Sequence, residues 1–258
     1  ITAIAMTEPG AGSDLAGMAT TAVEQNGEVV INGSKTFISS GINCDIVVLA
    51  ARDPSVENDY QAISLYVVES GTPGFTRGRQ LEKMGFHSQD TAELFFTNCR
   101  IPVTNRLGEK GSGFYMLMEK LQQERLATSI GAIVAAEYIF EATIDYCKKT
   151  LVSGRPISKS QAVQFALVEM ATEVKIGRIF VDKLIADHVE KKSIIIETCM
   201  AKYWTTEMVR RVADRGLDLF GNFGIFEECP IVRGWRDVRV MSIFAGTTGY
   251  LDDIPSSD

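Results

Sequence analysis

The first hundred residues alternate short apolar or β-branched runs with turns. The runs cover residues 2–6, 29–31, 46–51, 62–68 and 93–96. Short strands at this spacing are typical of an antiparallel sheet or barrel.

The pattern changes after Pro102, where three glycines precede long stretches of helical periodicity. The helices are expected at about 113–149, 160–190 and 194–215. The second carries a three-four spacing that is typical of a bundle helix, formed by Phe165, Val168, Ala171, Thr172, Lys175, Ile176 and Ile179. We therefore predict an α+β chain, with an antiparallel β-barrel-like domain at 1–105 and an up-down α-helical bundle at 106–258.

Composition bounds the class of protein. The 258 residues are 45% hydrophobic, which is enough for a sizeable core. A net charge of −7 argues against a nucleic-acid partner, because phosphate recognition depends on clustered Lys and Arg. We expect no membrane span, since no apolar run reaches the roughly 20 residues that a membrane helix requires.

Cysteine and histidine positions indicate neither disulfides nor a metal site. The five cysteines form no CxxC pair, and buried thiols in a reducing compartment are expected. His87 and His188 lack metal-ligand spacing, so no metal is predicted. The chain begins at Ile1 inside an expected strand and carries no signal or transit peptide, so we expect a preceding portion to be missing.

The segment from Met6 to Asp14, with the sequence MTEPGAGSD, is the most informative turn. Two spaced glycines after Pro9 allow backbone N–H groups to point at an anion or a flavin edge. Alone, this composition is equally typical of a surface turn. A dinucleotide fingerprint is excluded, because Leu15 stands where a third glycine is required.

Glu124 is the candidate acid–base residue. It belongs to a helical stripe with leucines. The residues of this stripe follow one another at intervals of four, three and four: Leu117, Leu121, Glu124 and Thr128. A carboxylate on such a stripe is either paired, for example in an interhelical salt bridge beside Arg125, or used as a general base. In an apolar pocket, desolvation would raise its pKa towards the range suited to proton abstraction.

Several motifs together resemble the acyl-CoA dehydrogenases. They are MTEPGAGSD at 6–14, INGSKTFISSG at 31–41, KMG at 83–85, DTAELFF at 90–96, QERL at 123–126 and KYW at 202–204. The resemblance is greatest to the long-chain branch and covers the family's middle and C-terminal domains. Its N-terminal helical domain has no counterpart in these residues.

The position of the base follows from that resemblance. Most members carry a catalytic glutamate just before a Gly-Thr pair, but here Ala245 precedes Gly246 and Thr247. The long-chain and isovaleryl branches instead carry the base on the helix where Glu124 lies. The resemblance thus implies α,β-dehydrogenation of a fatty acyl-CoA, with Glu124 removing the α-proton.

The resemblance also implies FAD and its contacts. The implied cofactor-binding residues are Met6, Thr7, Ser13, Phe37, Ser39 and Thr247, and the implied substrate-binding residues are Ser13 and Arg125. Phe37 would pack on the isoalloxazine, although an aromatic in a strand is more often a core residue. Electron-transfer flavoprotein as partner, a homotetramer built as a dimer of dimers, and a mitochondrial matrix or bacterial cytoplasmic location are implied as well.

Four positions depart from the family pattern around the far end of FAD. Thr150 and Ser153 replace an arginine and a phenylalanine, and Asn222 replaces a glycine. Gly249 stands two residues after the Gly-Thr pair, where a polar side chain is usual. These changes leave an alternative open, in which the chain is a degenerate homologue with weak or no FAD binding and a structural or partner-binding role.

Overall fold

A computed structural model describes residues 1–248. The chain divides into two compact units, Ile1–Lys120 and Leu121–Asp258. The expected 105/106 boundary stays a prediction, whereas this division lies inside a helix. The reason is packing: Phe114, Met116 and Leu117 in the first turns of that helix belong to an apolar cluster of the first unit.

The first unit is built on eight strands. They are β1 (Thr2–Ala5), β2 (Thr21–Gln25), β3 (Glu28–Ser39), β4 (Ile46–Arg52), β5 (Ile63–Glu69), β6 (Phe75–Gln80), β7 (Thr91–Pro102) and β8 (Arg106–Leu107), with a short helix α1 (Asp59–Ala62) before β5. The order is β6-β7-β3-β2-β4-β5-β8, with β1 paired to β4.

The sheet is mixed and does not close into a barrel among the described residues. Most neighbours are antiparallel, as expected, but β1 and β2 both pair with β4 in parallel. Strands β2 and β3 join through Asn26 and Gly27, which both have positive φ. An Asn-Gly pair suits this two-residue hairpin turn because both residues tolerate the left-handed region.

One face of the sheet carries the main core of the unit. Fully buried residues of several strands, including Val29, Val47, Leu49, Leu94 and Ile101, form one cluster. Gly113 begins the long helix against β5, where an added Cβ would lie 2.8 Å from the Ser64 Cα. Only glycine permits that close approach.

The second unit is helical. Its elements are α2 (Gly113–Lys149, from residue 121 onward), a hairpin of β9 (Leu151–Val152) and β10 (Arg155–Pro156), α3 (Gln161–Val189), α4 (Ile195–Phe220) and α5 (Val232–Val238). The three long helices match the expected positions within a few residues. They approach closely at Gly177, where an added Cβ would lie 2.5 Å from Ile133 Cδ1 and 2.9 Å from Trp204 Cζ3.

Helix α3 is apolar on two faces, and the sequence pattern identified the outer one. Its buried positions are Met170, Val174, Gly177, Val181, Leu184 and Asp187. Phe165, Val168, Ile176 and Ile179, which were expected to face the bundle, are more than half exposed. The unit therefore presents an apolar stripe to its surroundings.

All five cysteines are buried and unpaired, as expected. By length and composition, helix α2 is long and apolar enough to cross a membrane, with a mean hydropathy of 1.3 over its most apolar stretch. One such helix is weak evidence for a span, because core helices of globular domains share this length and composition.

Candidate active site

A buried ion pair organises the segment around Met6 and Thr7. Lys35 Nζ donates to Glu8 Oε1 at 2.7 Å and to the Met6 carbonyl at 2.9 Å. The Glu8 carboxylate also accepts the backbone N–H groups of Ala19 at 2.6 Å and Thr20 at 3.0 Å. Burial alone would raise the pKa of Glu8, but these hydrogen bonds and the Lys35 charge hold it below its ordinary value.

This ion pair was not predicted from the sequence. The available signal was a lysine within β3, together with an acidic residue before the Pro-Gly turn. Because Lys35 is bound to the carboxylate and to the Met6 carbonyl, the pair fixes the start of the turn against β3.

The turn itself is closed by two backbone hydrogen bonds. Glu8 N–H donates to the Ala11 carbonyl at 2.9 Å, and Ala11 N–H donates to the Glu8 carbonyl at 3.2 Å. The Thr36 N–H donates to the Thr7 carbonyl at 2.9 Å, so Thr7 lies beside β3. Ser13 is exposed beyond the turn.

Phe37 departs from the geometry of an ordinary strand residue. Its φ is +57°, and it lies where the β3–β7 register shifts between Lys35 and Ile38. The side chain is 68% exposed, so the alternative that Phe37 is a core residue is wrong for the described chain. A non-glycine residue with positive φ at a bulge is a strained feature that is frequent at functional sites.

Ser39 ends the same strand beside a turn held by one carboxylate. Ser39 is exposed and pairs with Thr91 of β7. The Asp90 side chain accepts the Ile42 N–H at 2.7 Å and the Asn43 side-chain amide at 2.8 Å. The first unit thus brings Met6, Thr7, Phe37 and Ser39 onto or beside β3.

In the second unit, Glu124 lies on α2 with its side chain exposed. The buried stripe of this part of the helix instead runs through Leu126 and Ser129. Leu126 is two residues from Glu124, which is about 200° around the helix axis. The expected burial of Glu124 among leucines is therefore not found in the described chain.

The pKa of Glu124 is nevertheless raised above its ordinary value. Partial desolvation is the main cause, and the positive charge of Arg125 opposes it. Within residues 1–248, no cation forms an ion pair with the Glu124 carboxylate, so the salt-bridge interpretation lacks a partner there. A carboxylate with a raised pKa and no ion pair is suited to accept a proton.

Arg125 binds the segment that carries Ala245. Its Nε donates to the Ala245 carbonyl at 3.3 Å, and a terminal nitrogen contacts Cys199 Sγ at 3.0 Å. Thr247 follows two residues later, and its hydroxyl donates to the Ile243 carbonyl at 3.4 Å. Direct contact of Arg125 with substrate stays a prediction.

The departures at Thr150, Ser153 and Asn222 lie at the ends of the long helices. Ser153 and Gly154 form the turn between β9 and β10, both with positive φ. Asn222 is exposed in the turn after α4. Gly249 lies outside the described residues.

A metal site finds no support in the described part of the chain. No group of three or more His, Cys, Asp or Glu side chains is placed to hold an ion in residues 1–248.

Comparison with known proteins gives the family. The acyl-CoA dehydrogenase middle-domain model matches residues 3–99, and the acyl-CoA dehydrogenase C-terminal-domain model matches residues 111–254. The chain belongs to the acyl-CoA dehydrogenase family.

Curated relatives include enzymes specific for long-chain and for short-chain acyl-CoA. The mitochondrial long-chain specific acyl-CoA dehydrogenase of Sus scrofa is 42% identical over 98% of this chain and 59% of its own length. The short-chain specific acyl-CoA dehydrogenase of Megasphaera elsdenii is 35% identical over 95% of this chain and 64% of its own length. The chain thus spans about three fifths of these acyl-CoA dehydrogenases.

Solved structures agree with the fold. An acyl-CoA dehydrogenase from Geobacillus kaustophilus superposes with a TM-score of 0.96 at 53% identity, covering 98% of this chain and 67% of that one. Butyryl-CoA dehydrogenase from Megasphaera elsdenii gives a TM-score of 0.93 at 32% identity, covering 97% of this chain and 66% of that one. The expected combination of a β domain and a helical domain is confirmed.

Proposed function

We propose that this protein catalyses the α,β-dehydrogenation of fatty acyl-CoA thioesters in β-oxidation, with FAD as cofactor. The observation that carries the proposal is Glu124, a carboxylate with a raised pKa and no ion pair in the described chain. Alanine at position 245 cannot take a proton, so Glu124 is the base that the chain offers.

The chemistry removes two hydrogens from adjacent carbons. Glu124 takes the α-proton as the electron pair of that C–H bond forms the new double bond. FAD, when bound, would supply the hydride acceptor for the β-hydrogen, which balances the oxidation. Because the α-proton is weakly acidic, hydrogen-bond donors must stabilise the thioester oxygen as negative charge develops there.

The residues of the first unit fit a flavin. The exposed Phe37 ring offers a flat apolar surface for stacking on an isoalloxazine. Thr7 and Ser39 supply hydroxyl groups on or beside the same strand, and Met6, whose carbonyl accepts from Lys35, precedes Thr7. Ser13 would contact the cofactor or the pantetheine. In the second unit, Thr247 is proposed as a cofactor-binding residue and Arg125 as a substrate-binding residue.

The relatives support a medium-to-long acyl chain. The long-chain specific enzymes of pig and mouse are both 42% identical to this chain, whereas the short-chain specific enzyme is 35% identical.

We also propose a domain boundary at 105/106, since it falls between the two family matches.

Partners and compartment are proposed on the same basis. A solved structure of the electron transferring flavoprotein of Acidaminococcus fermentans includes a chain that is 34% identical to this one, which supports electron-transfer flavoprotein as a partner. A homotetramer is supported by the outer apolar stripe of α3, which a second copy would cover. Mitochondrial and bacterial relatives leave the matrix and the bacterial cytoplasm as the two proposed locations.

A second candidate is a degenerate homologue with a structural or partner-binding role. The observation that favours it is the β9–β10 hairpin, where Leu151 and Val152 are exposed and Ser153 occupies the turn. Loss of an arginine at position 150 would remove a charge-assisted contact, for which about 1.5–3 kcal/mol is typical.

The visible absorption spectrum of the purified full-length protein separates the two candidates. The proposal expects flavin bands that bleach when a long-chain acyl-CoA is added without oxygen. Glu124→Gln should keep the bands and lose the bleaching, while Glu119→Gln on the same helix should keep both. A colourless protein that takes up no added FAD would support the degenerate homologue instead.

A further inference from the structure

A short segment after β3 is bound by two charged side chains of the first unit. It covers residues 40–44, with the sequence SGINC. Arg77 of β6 binds its carbonyl groups, since Nε donates to the Gly41 carbonyl at 3.0 Å and a terminal nitrogen donates to the Cys44 carbonyl at 2.7 Å. The same terminal nitrogen donates to Ser70 Oγ at 3.0 Å.

Asp90 binds the N–H groups of the same segment. Its carboxylate accepts the Ile42 N–H at 2.7 Å and the Asn43 side-chain amide at 2.8 Å. The Asp90 carbonyl also accepts the Ser40 N–H at 3.0 Å. Hydrogen bonds to charged groups are stronger than those between neutral groups. A cation on its carbonyls and an anion on its N–H groups therefore hold the 40–44 segment.

Arg77 is itself held in one geometry. Its side chain is partly buried, and the guanidinium carbon lies 5.4 Å from the centre of the Phe75 ring, within the range of a cation–π contact. Phe75 in turn stacks on Phe96, with ring centres 5.0 Å apart. A planar guanidinium fixed in this way presents its donors in a defined direction.

The backbone that leads into the segment is strained. Phe37 has φ +57° and Ser40 has φ +60°. A non-glycine residue with positive φ persists only where surrounding contacts over-determine the backbone. Before Phe37, that contact is Lys35 in its buried ion pair. After Phe37, the bound 40–44 segment supplies the constraint.

A cavity of about 440 Å³ lies beside Phe37. This volume is within the range of about 300–1,000 Å³ that is typical of ligand pockets. Arg79 and Thr91 are among the residues that line the cavity. Arg79 lies two residues after Arg77, and Thr91 directly follows Asp90. The two residues that bind the 40–44 segment therefore also lead into the walls of this cavity.

The positions of Phe37 and Ser39 depend on the backbone, because both side chains are exposed. Only Ile38 and Ser39 separate Phe37 from the 40–44 segment. Since one residue spans at most about 3.6 Å, a displacement of the segment is passed directly to both side chains.

We propose that Arg77 and Asp90 are positioning residues for the flavin ring. They hold the 40–44 segment and thereby fix the Phe37 ring and the Ser39 hydroxyl where a flat heteroaromatic ring binds. Both residues act through the backbone and not by contact with the ring. This inference rests on the proposed function, in which FAD stacks on Phe37.

A thiol inside the segment tests the hold without requiring flavin or activity. Cys44 is 3% exposed, and its Sγ lies 3.4 Å from the Gly41 carbonyl. It should therefore react with N-ethylmaleimide only when the segment opens. Labelling of each cysteine is measured by mass spectrometry in the full-length wild type, Arg77→Met and Asp90→Ala. We expect the Cys44 rate to rise by about tenfold or more in both variants.

Two controls show whether the effect is local. Cys99 of β7 is also buried and unpaired, and it should keep its labelling rate in Arg77→Met and Asp90→Ala. Arg100→Met removes an exposed ion pair of the same unit and should leave the Cys44 rate unchanged. If Arg77→Met does not fold, Asp90→Ala tests the same segment through its N–H groups.

Flavin measurements then test the functional part. The visible circular dichroism of bound FAD reports how asymmetrically the protein surrounds the ring, and it should weaken in Arg77→Met and Asp90→Ala. The affinity for FAD should fall about 3- to 10-fold. At saturating FAD, kcat should fall about 10- to 100-fold with little change in KM, because the ring is misplaced. Asp90→Asn, which keeps an acceptor for the Ile42 N–H, should restore part of each loss.

The outcomes separate this proposal from the proposed function. Unchanged Cys44 labelling in both Arg77→Met and Asp90→Ala would overturn the hold on the segment. Raised labelling with unchanged dichroism, FAD affinity and kcat would overturn the positioning role, since the contacts would then be purely structural. A wild type that binds no FAD would overturn the proposed function and the flavin part together, whereas the labelling would still decide whether the two residues hold the segment.

Discussion

Glu8 and Lys35 form an ion pair that is almost completely removed from solvent, with Nζ 2.7 Å from Oε1. The pair joins the Pro-Gly turn to β3, and two backbone N–H groups complete the hydrogen bonding of the carboxylate. A charge buried this deeply is tolerated because its partner and its hydrogen bonds replace water.

Removing one partner should therefore be costly. Lys35→Met or Glu8→Gln is expected to lower the free energy of unfolding by about 3–5 kcal/mol, since the other group is left buried without its partner. The double variant should lose less than the sum of the two. Urea titration measures these values, and Lys120→Met, at an exposed pair with Glu119, is the control and should change stability by less than about 1 kcal/mol.

The Glu8–Lys35 pair also predicts how the stability of the fold changes at acidic pH. The pKa of Glu8 is lower in the folded protein than its ordinary value of 4.5, so the carboxylate stabilises the fold above that pH. The contribution is lost as pH falls through the folded pKa. Glu8→Gln should thus lose less stability than wild type on acidification from pH 5, and identical slopes would contradict the assignment.

Phe37 should affect flavin binding more than folding. Its ring is 68% exposed, so Phe37→Ala removes little packing within the unit. Loss of stacking on a flavin is expected to cost about 0.5–1.5 kcal/mol, which is about a 2- to 13-fold weaker affinity for FAD. Isothermal titration of the apoprotein measures this affinity. Phe95→Ala, an exposed aromatic on β7, is the control, and equal effects of both changes would remove Phe37 from the cofactor site.

The sequence revealed the fold better than the site, for physical reasons. Long helices were predicted within a few residues because their periodicity extends over many turns. Strands β2 and β6 were missed, because Thr21–Gln25 and Phe75–Gln80 are short and largely polar. Phe37 and Ala245 both have positive φ angles. No local sequence pattern specifies these backbone conformations.

Helix α3 shows how periodicity can mislead. Its outer stripe and its inner stripe both have three-four spacing, and the outer stripe carries the larger side chains. The inner face includes Gly177, whose small size allows close contact with Ile133 and Trp204. Close packing at small residues, rather than the size of the apolar side chains, therefore decides which face of α3 is buried. The sequence alone does not distinguish the two faces.

The outer stripe of α3 should control assembly. Ile176→Asp with Ile179→Lys places two charges on a surface that a second copy is proposed to cover, so the assembly should dissociate. Light scattering after size exclusion measures the mass. Ile225→Asp, at an 82% exposed position, is the control and should leave the mass unchanged. An unchanged mass for the double variant would exclude this stripe as the interface.

Lys202 should increase the free energy of unfolding as the pH rises into the alkaline range. Its pKa is about 8 in the folded protein against 10.5 ordinarily, with burial as the main cause and Arg125 adding to it. Between these two values the unfolded chain binds more protons at this lysine than the folded protein does. The lysine therefore makes the folded state more stable as pH rises, by about 3 kcal/mol over the full interval.

The comparison of wild type with Lys202→Met isolates that contribution. Unfolding in urea at pH 7.5, 8.5 and 9.5 should show wild type gaining stability relative to the variant at each step, because all other titratable groups are shared by both proteins. Lys192→Met, which removes an exposed lysine, should not reproduce this relative gain. A constant difference between wild type and Lys202→Met across the series would contradict this prediction. It would mean that burial and the charge of Arg125 do not lower the pKa of the Lys202 amine.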